Sequence, residues 1–234
     1  MGYTTDRRSV IGGALLASAG AVAPSPAIAR SGSGAAAVSD WQPAMEEMDG
    51  WLDKPASRHR FLFDSTSIDS GIGALGFANN YIHLNETAYG LTPEQLGVVV
   101  VFRHFSTPLA YNDSIWSKYG KGFVEKLGIK GELATRAATA NPVLTKSANP
   151  KTPPGFDWMA DDTLTKLSDK GVRYAVCGLA TQVIAGMLAG PGGDSKAVDA
   201  DLRANLVPGA VIVPAGIVAV NRAQEHGYSF AYVA

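Results

Sequence analysis

Short apolar runs alternate with longer stretches in which apolar positions recur every three or four residues, and from His59 onward this is the pattern of a parallel α/β sheet. Arg60-Phe61-Leu62-Phe63 reads as the first strand, ending at Asp64-Ser65-Thr66, and Ser67 caps a helix running to about Thr87. LGVVVVF, over Leu96–Phe102, contains no charged or hydrogen-bonding side chain and suits a central strand covered on both faces. A helix is expected around 114–126, carrying Ile115, Trp116, Tyr119 and Phe123, and another over 161–170, with Leu164 and Leu167 inward and Gly171 as its stop. Residues 172–176 read as the third strand, a helix begins one or two residues after Cys177 and continues over 181–189, and 196–205 reads as a further helix beyond the turn cluster Pro191-Gly192-Gly193-Asp194. Ala210–Val213 is the fourth strand, 217–226 a helix closed by Gly227, and 228–233 the fifth strand.

Two stretches break the alternation. Trp41, Met45, Met48 and Leu52 fall on one helical stripe, with Glu46, Glu47 and Asp49 opposite, so segment 30–57 is read as a linker and an amphipathic helix that either caps the domain or makes a subunit contact. Between 128 and 156, Pro142, Pro150, Pro153 and Pro154 are spaced through polar residues, and this insertion is expected to be a lid or a subunit contact.

In an open parallel sheet the ligand crevice lies beyond the carboxyl ends of the strands. Asp64-Ser65, Arg103-His104, Cys177-Gly178 and Pro214-Ala215-Gly216 all fall there. Cys177, the only cysteine, stands where a strand meets the start of a helix, a setting of unpaired N–H groups that favours the thiolate, the nucleophilic form. Arg103 or His104 would hold that thiolate by charge, and the Gly178 and Gly216 regions would offer backbone donors to an anion. Each residue also has a plain reading: a free cysteine is commonly a small buried hydrophobe, Asp64 would cap the next helix, and His104 would be a satisfied rim residue.

Composition narrows the partners. The chain has 234 residues, 46% hydrophobic and 18% charged, enough for one domain with a sizeable core. Twenty basic residues against twenty-one acidic ones give no field for nucleic acid or anionic lipid, which leaves small molecules or proteins. His59, His83, His104 and His226 lack the spacing of a zinc set, so no metal and no cofactor are assigned. Gly71, Gly73 and Gly76 match G-x-G-x-x-G, but inside the first helix rather than at a strand-to-helix turn, and no G-x-S-x-G elbow exists. At the N-terminus, Asp6-Arg7-Arg8-Ser9-Val10, a weakly apolar stretch over 10–22, and Ala27-Ile28-Ala29 resemble a twin-arginine signal spanning 1–29, which predicts export to the periplasm, a mature chain from about Arg30 and no membrane insertion after its removal.

Val172-Arg173-Tyr174-Ala175-Val176-Cys177-Gly178-Leu179-Ala180, then Leu206-Val207-Pro208-Gly209-Ala210-Val211-Ile212-Val213-Pro214-Ala215-Gly216-Ile217-Val218-Ala219-Val220 and Gln224-Glu225-His226-Gly227-Tyr228, resemble the DsrE/DsrF-like superfamily. The resemblance spans about 60–232 within a domain of 58–234. It implies a flavodoxin-like three-layer α/β/α sandwich with a mainly parallel five-stranded sheet, homo- or hetero-oligomers such as trimers and hexamers, and a cysteine that carries persulfide sulfur between proteins, here Cys177. Arg103 and His104 rest on the strand-end reasoning alone. The expectation is an exported sulfur carrier with a sulfur donor or acceptor protein as partner. A non-catalytic oligomeric small-ligand-binding protein and a structural subunit stand beside it.

Overall fold

The computed structural model describes residues 42–149 and 151–234. The twin-arginine segment, the tether after it and Trp41 lie outside the described residues. Five strands, β1 (His59–Ser65), β2 (Leu96–Phe102), β3 (Arg173–Cys177), β4 (Ala210–Val213) and β5 (Ser229–Tyr232), form one sheet in the order β4-β3-β2-β1-β5, every pair parallel. The chain steps from β1 to β4 in one direction and then returns to lie beside β1. Right-handed crossovers put the helices of the outward steps on one face and that of the return step on the other. The fold is thus a three-layer α/β sandwich of the flavodoxin-like kind.

On the outward face lie α1 (Ile68–Tyr89), α2 (Asp113–Leu127), α4 (Leu164–Asp169) and α5 (Gly178–Ala189), followed by α6 (Ser195–Ala204). Ala74, Leu75, Ala78, Ile82, Trp116, Phe123, Leu164, Leu167 and Ile184 bury against Phe63, Val98, Val100, Phe102, Tyr174 and Val176. The opposite face is thinner. Leu62, Val99, Val101, Ala175 and Val213 are covered by Ala219, Val220 and Ala223 of α7 (Gly216–Glu225), together with Leu52 and Tyr228. All seven residues of β2 are buried, as a central strand with no polar side chain requires.

The start of α1 follows from its sequence. The Ser67 side chain accepts from the Ser70 N–H while the Ser70 hydroxyl takes the Ser67 N–H, a reciprocal cap, and Gly90 ends the helix in the left-handed conformation at φ 66°. The glycines of the G-x-G-x-x-G match sit within this helix. A Cβ on Gly71 would lie 2.5 Å from Leu109 Cδ1, so that glycine serves close packing.

Two segments depart from plain strand–helix alternation. Among the described residues of segment 30–57, only Glu47–Leu52 is helical, as a short 3-10 turn, with Leu52 buried and Met45 and Met48 exposed. The insertion at 128–156 packs against the body of the domain. It contains α3 (Gly131–Ala137) and is pinned to the body by Asn141, whose Nδ2 donates to the carbonyls of Leu109 (2.8 Å) and Tyr111 (2.7 Å) while its N–H donates to Asp113 (2.8 Å). Val143 is consequently buried in the core. Among the described residues, no helix is long and apolar enough to cross a membrane.

Candidate functional site

Ser65 pairs with Phe102, Phe102 with Val176, and Cys177 with Val213, so β1, β2, β3 and β4 end almost level. Side chains alternate along each strand. Asp64 therefore shares the α7 face with Leu62, Arg103 with Val101 and Cys177 with Ala175. Three of the four candidate stretches thus deliver their chemistry to the same side of the sheet, at the N-terminus of α7.

Arg103 and Asp64 form a two-pronged pair, Nε to Oδ1 and Nη2 to Oδ2, both 2.8 Å. Asp64 is 1% exposed and caps no helix. Its hydrogen bonds raise the Arg103 guanidinium above its ordinary value, against the lowering effect of partial burial. The guanidinium carbon also lies 5.9 Å from the ring centre of Tyr232, whose hydroxyl is 3.0 Å from Thr66 Oγ1. The fit is tight: a Cβ on Gly216 would lie 2.6 Å from Arg103 Cβ, so α7 approaches β2 this closely only because residue 216 is glycine.

Cys177 is the N-cap of α5. Its Sγ accepts the Ala180 N–H at 3.3 Å, and α5 begins at Gly178, within the one or two residues after Cys177 that the sequence indicates. The Cys177 carbonyl takes the Thr181 hydroxyl (2.9 Å), which takes that of Tyr111 (3.0 Å). Burial drives the Tyr111 pKa well above its ordinary value, so this buried phenol stays a neutral donor. The backbone that carries the thiol is thereby fixed from beneath.

Above these groups opens a cleft of about 250 Å³ lined by Arg103, His104, Phe105, Cys177, Leu179, Ala180, Val183, Ile184, Ala215, Gly216 and Ile217. The cleft contains Cys177, Arg103, His104 and Gly216 from the sequence expectation. Asp64 acts one step back, through Arg103. Gly178 is not in this lining: it faces a neighbouring groove with Met48, Gln182 and Arg203, and its carbonyl accepts from Arg203 Nη2 at 2.9 Å. No described residue of the 128–156 insertion lines the cleft. His104 has φ 50°, the one non-glycine residue among those described with a left-handed backbone.

Sequence reasoning missed the apolar wall. Phe105, Leu179, Val183 and Ile217 are all exposed, a contiguous apolar rim around a nearly buried thiol. The spacing of Leu179 and Val183, four apart on a helix that follows a strand end, was the available signal. No family model, curated protein or solved structure matches this chain.

Proposed function

We propose that this chain is an exported DsrE/DsrF-like protein that carries sulfur as a persulfide on Cys177. The observation that supports this reading is the position of Sγ. Cys177 lines a cleft at the strand ends together with Arg103, and its Sγ accepts an amide from the first turn of α5. Helix-end amides favour negative charge on sulfur. In loading, the thiolate attacks the terminal sulfur of a polysulfide. A new S–S bond forms, the old one breaks, and the shortened polysulfide leaves with the electron pair. In delivery, a partner thiolate attacks the outer sulfur and the Cys177 thiolate departs, so neither half needs an oxidant. The exposed rim around the cleft supports a homo-oligomer, a trimer or hexamer, with the cleft sheltered between subunits.

Intact-mass measurement after incubation with polysulfide tests the proposal. The expected result is one added sulfur atom that a thiol reductant removes and that Cys177→Ser lacks. No addition, or equal addition to the variant, overturns it. The apolar lining favours a second reading, a small-ligand-binding protein in which Cys177 is merely packed; thiol alkylation slower than that of free cysteine at neutral pH would support it.

A further inference from the structure

Resting on the carrier reading, we propose that the donor suited to this cleft is an organic thiosulfonate, a monoanion R–SO2–S⁻ with an apolar R group, in preference to inorganic thiosulfate. Size, wall and charge converge on this class. A cleft of about 250 Å³ holds far more than one water, whose share of liquid volume is ~30 Å³, yet falls below the ~300–1,000 Å³ of drug-sized sites. It fits a small organic group. The wall facing Cys177 is built from Phe105, Leu179, Val183, Ile184 and Ile217, which return nothing to an ion stripped of its hydration but reward an apolar substituent.

Charge discriminates further. No carboxylate among the described residues lines the cleft, and Arg103 is already paired with Asp64 through Nε and Nη2. What remains for a ligand is Nη1, which has no partner among the described residues, and the first amides of α7, whose cap Ala215 brings no side-chain acceptor. Those dipolar donors suit a single negative charge spread over sulfonyl oxygens. A dianion such as thiosulfate would bring a second charge to a lining whose one guanidinium is already paired with Asp64.

The transfer balances without a co-reactant. The Cys177 thiolate attacks the outer sulfur of R–SO2–S⁻, a S–S bond forms to Cys177, the bond to the sulfonyl sulfur breaks, and the pair leaves on the sulfinate R–SO2⁻. Two negative charges enter and two remain, one on the persulfide and one on the sulfinate.

Rates of persulfide formation on the full chain test this with benzenethiosulfonate, methanethiosulfonate and thiosulfate, each divided by its rate with free cysteine to remove intrinsic reactivity. Benzenethiosulfonate is expected to lead methanethiosulfonate by about tenfold or more, as methylene-scale pocket differences do, and thiosulfate to come last. Leu179 and Val183 are both more than half exposed, so the double variant Leu179→Asn, Val183→Asn should fold. In it the benzene-to-methane ratio should fall toward one. A thiosulfate rate equal to that of either thiosulfonate, or a ratio unchanged in the double variant, overturns the donor assignment while polysulfide loading leaves the carrier reading standing. Failure of polysulfide itself to load Cys177 removes both.

Discussion

Replacing Asp64 by Asn strips Arg103 of its carboxylate partner without changing the shape of the side chain. Asp64 is 2% exposed at its side chain and Arg103 18%, so the pair is largely removed from water. Breaking a buried ion pair from one side costs about 3–5 kcal/mol, chiefly because the surviving charge is left without compensation. Here Asn keeps one acceptor oxygen, and Arg103 retains an opening to the cleft. The expected loss therefore sits near the lower figure, about 3 kcal/mol. For a domain of 150–250 residues at ~2–4 °C per kcal/mol, the midpoint should fall by about 6–12 °C. Urea unfolding followed through the buried Trp116 measures it, with an unchanged slope confirming that only stability moved. Asp64→Leu combined with Arg103→Met replaces the pair by apolar groups and should recover most of the loss, since a buried pair and a hydrophobic replacement are often close in stability. A loss below about 1 kcal/mol for Asp64→Asn, or a double variant as unstable as the summed single variants, would refute the claim that Asp64 exists here to hold Arg103.

His104 offers a test of stored strain. At φ 50° an L side chain costs roughly 1 kcal/mol that glycine does not, so His104→Gly should be about 1 kcal/mol more stable than His104→Ala, read as a difference in urea midpoints; equal midpoints would show that no strain is held there. Asp162 gives a pH dependence. Burial raises its carboxyl pKa, opposed by the Ser147 hydroxyl, and its Oδ1 has no hydrogen-bond partner among the described residues. The folded chain thus holds this proton more tightly than the unfolded one, and the associated stability, full below the ordinary aspartate range near ~3.9, is lost as pH rises through the raised folded value. Asp162→Asn should match the parent in acid and become the more stable of the two toward neutrality; an advantage that stays constant with pH would contradict the desolvation account.

The strands were legible because their signals are local. Leu96–Phe102 and Ala210–Val213 have the bounds their apolar runs predict, and α1 begins at the cap that Ser67 announces. The N-terminal stripe misled because spacing alone does not hold a short helix together. Isolated helices below ~12–15 residues are marginal in water, and of Met45, Met48 and Leu52 only Leu52 finds a surface. The 128–156 segment was opaque for the opposite reason: it is held by long-range contacts, Asn141 reaching carbonyls some thirty positions away and the Val143 and Leu144 carbonyls accepting from Leu164 and Thr165, and no periodicity records such contacts.

Strand ends pointed to the neighbourhood of the cleft, but they did not separate the residues that enter it from those that support it. That separation depends on register, a long-range property: Asp64 sits opposite Val101, and counting in twos along β1, β2 and β3 then places Asp64, Arg103 and Cys177 on one face. Gly178, the next residue after Cys177, belongs to the helix start, and its carbonyl turns to Arg203 in the adjoining groove. Seen this way, Cys177 is distinguished from an ordinary buried cysteine by its company. The alternation that sends Ala175 into the core sends Cys177 to the end of the sheet, where Gly216 lets α7 close against Arg103 and where apolar side chains stay exposed at the rim. Any assignment of chemistry to the thiol must therefore also account for that rim, whose apolar area is unusual to leave facing water unless something covers or enters it.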